Sequence, residues 1–343
     1  MAGAVPRLLT VVHTEEEFDW SVPFSRAATQ TTHARHLDRG QKLFEFHGIR
    51  PLYAIDQPIA TDPAAVATLR SFVARGTAVI GAHLHPWVSP PFEETVEPLT
   101  SYPGNLPPAL ERAKIESLTR AVATAFDTRP RIYVAGRYGF GPNTAGLLEE
   151  LGYEVDLSPS PPFDFRKDGG PDYRRADLIP VRLGRLWQVP HTGAFVGPLS
   201  GFATARSAWS TAGLMGRLVR GVTGHTRTLE RLRLSPEGFD GAALRRLTMA
   251  LIARGLRLFV FSFHSPSLAA GFTPYVRSEA DLGRFLATID EYLGWFRANL
   301  GGEGVDPECL VELLATTASA AVTYSPRRRS SHSAEGAQKG RVG

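Results

Sequence analysis

Ala78-Val79-Ile80-Gly81-Ala82-His83-Leu84-His85-Pro86-Trp87 reads as a short apolar strand that runs straight into two imidazoles. Residues i and i+2 of an extended segment point the same way, so His83 and His85 can face one metal or one substrate group. In an ordinary loop they would only hydrogen-bond their surroundings. The same pattern recurs along the chain. Leu8–Val12 ends in His13, Leu52–Ile55 in Asp56, Arg131–Val134 soon reaches Arg137, Tyr153–Val155 ends in Asp156, Leu186–Pro190 meets His191, and Leu256–Phe263 ends in His264. Leu178–Val181 and Leu186–Val189 read as a broken pair. Five of the ten histidines therefore stand at strand exits, where an indifferent polar exit would carry Gly, Ser, Asn or Lys.

Helical patterns fill the intervals at 33–47, 63–75, 107–126, 142–151, 202–220, 240–254 and 279–299, several opened by Pro or a capping Asp, Asn or Ser. Short β-branched runs alternating with longer helical stretches predict an α/β fold with a mainly parallel sheet of about seven strands. In such folds the active site collects at the C-terminal strand ends. Residues 157–201, with Ser-Pro-Ser-Pro-Pro and Gly-Gly-Pro, read as long surface loops.

Composition bounds the function. With 43% hydrophobic and 21% charged residues over 343 positions the chain is globular. No stretch approaches the roughly 18 apolar residues of a membrane helix, and the first residues lack the form of a secretory signal, so a cytoplasmic location is expected. The one cysteine, Cys309, excludes an internal disulfide and a Cys-rich zinc site, so a metal would need His and carboxylate ligands. Residues 323–343 carry the whole formal charge of +4, with Arg327, Arg328, Arg329, Lys339 and Arg341 against Glu335. Residues 1–322 are then formally neutral and lack the footprint of a nucleic-acid-binding fold. The Ser/Gly/Arg-rich tail reads as disordered, leaving one domain over residues 1–322.

Two further clusters carry chemistry. In His13-Thr-Glu15-Glu-Glu-Phe-Asp19-Trp20, Glu15 can complete a His/His/carboxylate set with an open coordination position, although acidic runs also begin many solvated helices. Phe261-Ser-Phe-His264-Ser-Pro-Ser-Leu268 sets one imidazole after a strongly apolar strand. Trp20, Trp87, Phe92, Tyr138 and Trp187 offer stacking platforms. Asp156 and His191 join Trp20, Trp87 and Tyr138 as candidate substrate contacts.

Taken in order, the acidic first strand exit, the Gly-x-His motif, Ala-Gly-Arg137-Tyr-Gly, Glu-Glu-Leu-Gly-Tyr-Glu-Val-Asp156 and the late Phe-His264-Ser-Pro resemble the polysaccharide deacetylases of the NodB-homology type, carbohydrate esterase family 4. Thr-Glu-Glu-Glu-Phe-Asp-Trp, Gly-Ala-His-Leu-His-Pro-Trp and Phe-His-Ser-Pro-Ser-Leu more narrowly resemble the WalW-like branch associated with surface-polysaccharide synthesis. The likeness spans roughly residues 8–300.

The resemblance implies a distorted (β/α)7 barrel that holds a divalent metal, usually zinc, and removes acetyl groups from amino sugars or related glycans. By that likeness His83 matches the first metal histidine, Arg137 the arginine that orients the catalytic carboxylate, and His264 the late general acid. Two positions depart from the pattern. His13 stands where the family has its catalytic Asp, and Trp87 stands where it has a second metal histidine, which leaves His85 as the substitute and Glu15 as the carboxylate ligand. His13 then has three readings: a base with an imidazole pKa near about 6.5, a third imidazole ligand, or the mark of an inactive deacetylase-like barrel that binds carbohydrate. A metal-dependent amidohydrolase cleaving another C–N bond is the rival enzyme. Because the tail offers almost no core residues, deleting 323–343 is expected to leave the melting temperature and any activity unchanged.

Overall fold

The computed structural model describes residues 5–19, 22–210 and 213–322; Trp20 and the tail from residue 323 lie outside them. Its strands are β1 (Arg7–Thr14), β2 (Leu52–Ile55), β3 (Val79–Leu84), β4 (Ile132–Ala135), β5 (Val155–Asp156), β6 (Val181–Leu183), β7 (Leu186–Gln188), β8 (Gly193–Val196), β9 (Glu230–Arg233), β10 (Leu258–His264) and β11 (Glu303–Gly304). Its helices are α1 (Leu37–Phe46), α2 (Gln57–Thr61), α3 (Pro63–Ala74), α4 (Pro108–Phe126), α5 (Thr144–Glu150), α6 (Ala203–Ser210), α7 (Gly213–Thr226), α8 (Gly241–Ala253), α9 (Glu279–Leu300) and α10 (Leu310–Val322). Seven strands pair in parallel in the order β10-β1-β2-β3-β4-β5-β7, while β6 turns back antiparallel on β7. Among the described residues no helix is long and apolar enough to cross a membrane.

The sheet curls into a partial barrel whose gap lies between β7 and β10. The β8–β9 ribbon fills it: Leu234 N–H donates to Thr192 O (2.8 Å), Ser262 N–H to Leu234 O (3.1 Å) and Val260 N–H to Thr192 Oγ1 (2.8 Å). This is the distorted seven-stranded barrel expected from the sequence. Strand alternation then sorts the core. Leu8 and Val12 join the cluster under the helices, whereas Leu9 and Val11 belong to an interior cluster with Leu52, Ala54, Val134, Val155 and Val260. Leu310 and Leu314 of α10 complete that interior cluster. His13, His83 and His264 continue the interior-facing alternation one step beyond these apolar layers.

Several expectations are corrected. Residues 157–201 are not surface loops throughout: 157–162 and 189–196 are buried, because Ser158 Oγ accepts Ala135 N–H (2.8 Å) and the backbone bonds to neighbouring strands, as His191 N–H does to Pro159 O (2.8 Å). The Ser-Pro composition hid a satisfied core segment. The single helix over 202–220 is two, α6 and α7, and β8, β9, α2 and α10 had no counterpart in the reading of periodicity.

Lys114 of α4 anchors the loop that follows His85. Its buried ammonium donates to Pro86 O (2.9 Å), Ser89 O (2.6 Å) and Pro91 O (2.7 Å) and pairs with Glu94 at 3.0 Å. Lys114→Met strands a buried carboxylate and three carbonyls, and is expected to cost about 3–5 kcal/mol in denaturant unfolding.

Candidate active site at the strand exits

β1 delivers His13 and, just beyond its end, Glu15 and Glu16; β3 delivers His83 and then His85. Glu15 Oε2 lies 3.2 Å from His83 Nε2 and 3.5 Å from His85 Nε2. The opposite nitrogen of each ring is committed: His83 Nδ1–H donates to Val134 O (3.1 Å) and His85 Nδ1–H to Glu16 Oε2 (2.8 Å). Burial lowers the pKa of both rings, against the pull of Glu15. Two neutral Nε2 lone pairs therefore face a carboxylate oxygen with no proton between them. Burial would raise Glu15, but the charge of His264 leads what holds it down at about 2. The set Glu15, His83, His85 has the composition of a zinc-type site with an open position. Rings fixed through Nδ1 are the usual outer support of such ligands.

A second layer holds His85. Glu16 Oε1 accepts Trp87 Nε1–H (2.8 Å), the Trp87 ring stacks on His85 at 4.3 Å, and Glu16 N–H donates to Asp56 Oδ2 (2.7 Å). Burial pushes Glu16 up to about 7 and Asp56 well above the ordinary carboxylate range, so Asp56 is the protonated member of the pair.

His13 occupies the middle of the cluster, its ring 5.0 Å from His83, 5.2 Å from His191 and 5.2 Å from His264. Its buried Nε2 has no hydrogen-bond partner among the described residues. Burial first, then the neighbouring imidazoles and Arg233, lower its pKa well below 6.5, so it is neutral and proton-accepting. His191 follows it, down to about 3, through burial and Arg233. His264 goes the other way. Burial would lower it, but Glu237 and Glu15 raise it to about 9; Nδ1–H donates to Glu237 Oε2 (2.7 Å) and the backbone N–H to Glu237 Oε1 (3.1 Å). A neutral and a protonated imidazole thus stand side by side.

These groups open on a cleft of about 580 Å³ lined by His13, Glu15, His83, His85, Trp87, Arg137, Tyr138 and His264 together with Phe24 and Phe165. Three expectations do not fit this placement. Arg137 does not reach His13: its guanidinium bonds Ser101 Oγ (2.5 Å) and Asp168 (3.0 Å) and stacks on Tyr102 at 4.1 Å, because a left-handed backbone (φ 52°) turns it to the rim. Asp156 lies outside the cleft, buried against Ser158 and Gln188. His191 lies behind His13, held by Ser262 Oγ (3.0 Å). Of the stacking platforms, Trp187 belongs to the interior core and Phe92 is exposed beside Arg26 and Lys114. The sequence reading missed Glu16, Glu237 and Arg233. Arg233 donates to Tyr138 Oη (2.9 Å) and Ser160 Oγ (3.0 Å). The one signal for Glu237 was its place after Leu-Ser-Pro, at the exit of a strand that periodicity did not reveal.

No family model matches this chain, and no curated protein does. Solved structures do. A protein assigned to the polysaccharide deacetylases from Mycobacterium smegmatis superposes with a TM-score of 0.51 at 14% identity, covering 97% of each chain. One so assigned from Pseudomonas aeruginosa PAO1 gives 0.51 at 14%, covering 89% of each. The PuuE allantoinase gives 0.54 at 15%, covering 92% of this chain and 93% of its own. The chain has the fold of these proteins, the distorted β/α barrel of the polysaccharide deacetylases.

The Glu237 pairing has a measurable consequence. His264 contributes stability that is fully present below about 6.5 and is lost as pH rises through about 9. In Glu237→Gln the imidazole midpoint, followed by NMR, is expected to fall by at least about one unit, and this alkaline loss of stability to move down with it.

Proposed function

We propose that this protein is a metal-dependent hydrolase that removes an acetyl group from an N- or O-acetylated sugar or polysaccharide precursor in cell-surface polysaccharide metabolism. The observation that carries the proposal is the contact of Glu15 Oε2 with the lone pairs of His83 and His85, whose rings are fixed through Nδ1. A divalent ion there, zinc by the donor set, would polarise a carbonyl and bring the pKa of a water toward about 7.

The chain's own groups supply the proton traffic. His13, neutral and lining the cleft, takes the proton of the attacking water. His264, protonated at neutral pH and steadied by Glu237, gives one to the leaving amine or alcohol. Phe24, Trp87, Tyr138 and Phe165 wall the cleft with aromatic faces suited to a sugar ring, and Arg137 and Asp168 bring charge to its rim. A second reading, hydrolysis of another C–N bond, draws support from the allantoinase likeness and uses the same groups. An inactive carbohydrate binder would need the aromatic wall but not the metal set.

Metal analysis with acetate-release assays separates these readings. Wild type is expected to carry one zinc or similar ion per chain; Glu15→Gln, His83→Ala and His85→Ala should lose it together with turnover. His13→Ala should keep the metal while kcat falls about 10²–10⁴-fold. Turnover should decline as pH rises through about 9, where His264 deprotonates. Metal-free wild type would favour the binder, and unchanged turnover in His13→Ala would remove His13 from the reaction.

A further inference from the structure

The formal neutrality of residues 1–322 conceals one uneven stretch. From Leu178 to Leu229 the chain has 52 residues with six arginines and no Asp or Glu, where 34 acids in 343 residues would place about five. Most of this stretch lies between β7 and β9, and α6 and α7 form a helical hairpin inserted between β8 and β9. Trp209 ties the hairpin to the ribbon: its ring meets Phe195 edge-on at 5.4 Å, Arg231 lies over it at 4.6 Å, and Arg220 Nη1–H donates to its carbonyl (2.8 Å).

This insertion exposes large apolar side chains among its arginines. Phe202 is 61% exposed, Leu218 56% and Val222 64%, and the last two are one helical turn apart on α7. Arg217 is exposed next to Leu218, and Arg227 follows the helix. Arg206 faces an open groove of about 1740 Å³ that Arg175, Arg254 and Arg257 also line, with Asp172 and Asp177 among them. Arg206, Arg217 and Arg227 have no carboxylate partner among the described residues.

We propose that the α6–α7 hairpin docks this protein on an anionic phospholipid bilayer. Arginines not already paired to a carboxylate suit lipid phosphates, and exposed Phe, Leu and Val side chains suit the headgroup–acyl boundary. A nucleic acid or an acidic protein would use the arginines but leave the apolar side chains without purpose. The groove borders the strand starts, at Arg7 and Leu258, so docking leaves the cleft at the strand exits open. The proposal does not depend on what that cleft catalyses.

Sedimentation of the full chain with vesicles of phosphatidylcholine, alone or mixed with phosphatidylglycerol, tests it. Binding is expected to the mixed vesicles, with at least about a ten-fold weaker partition for Leu218→Ser/Val222→Ser and for Arg217→Glu/Arg227→Glu. Hydrogen exchange of the wild-type chain should slow over residues 199–227 when mixed vesicles are added, a readout that needs no variant to fold. The proposal fails if wild type does not sediment with the mixed vesicles, if exchange over 199–227 is unchanged, or if both variants bind as wild type does, which would assign binding to the basic tail. It also fails if only the arginine variant loses binding and wild type holds a polyanion such as RNA equally well.

Discussion

Parallel pairing of β1 with β10, in register from Arg7 opposite Leu258 to His13 opposite His264, is the contact on which the site depends. Because side chains alternate, a slip of one residue would turn Leu9, Val11 and His13 toward the helices and take His13 out of the cluster altogether. The apolar layers of the barrel interior thus fix the chemistry above them. Once the register is set, Glu15 can lie only near the end of β10, where its N–H reaches Ser265 Oγ (3.4 Å), itself bonded to His33 Nε2 (2.8 Å). The ligand-like carboxylate is held by backbone as well as side chain.

Within that frame, one residue type is driven to two protonation states by its neighbours. All of His13, His191 and His264 are desolvated, which disfavours the imidazolium. Of these three, His264 alone has a carboxylate on its ring, Glu237, and that pairing outweighs the Arg233 charge that bears on all three. A histidine rather than a carboxylate at the exit of β1 therefore sets the charge balance of the cluster. The negative charge that a carboxylate at this position would add is absent, and Glu15 is left as the carboxylate that faces Nε2 of both His83 and His85.

The strands that carry this site were legible because buried parallel strands are short, apolar and end abruptly in polar residues. β2 and the body of β1, β3 and β10 were read to within a few residues, and with them His13, His83, His85 and His264. What periodicity could not reveal was structure built without a long apolar signature. β8 and β9 are four residues each, and β9, Glu-Arg-Leu-Arg, buries one leucine among charged side chains. Missing β9 meant missing Arg233 and Glu237, which follow from it. Arg137 failed for another reason. Its motif placed it correctly at the exit of β4, but the left-handed backbone that aims it at Ser101 and Asp168 leaves no mark that spacing could detect.

The β8–β9 ribbon also explains why the two ends of one insertion differ so sharply. Seven parallel strands leave a gap between β7 and β10, and a closed interior needs its backbone groups paired there. The ribbon pairs them through Thr192 and Leu234, and in doing so points its outgoing end, Arg233 to Glu237, into the cleft. Its other end is free of that duty. The described residues among the 33 inserted between Val196 and Glu230 contribute little to the interior clusters, so this sequence was free to lose its acids and expose apolar side chains without disturbing the site. Gap closure is the constraint, and the divergence of the two ends follows from it.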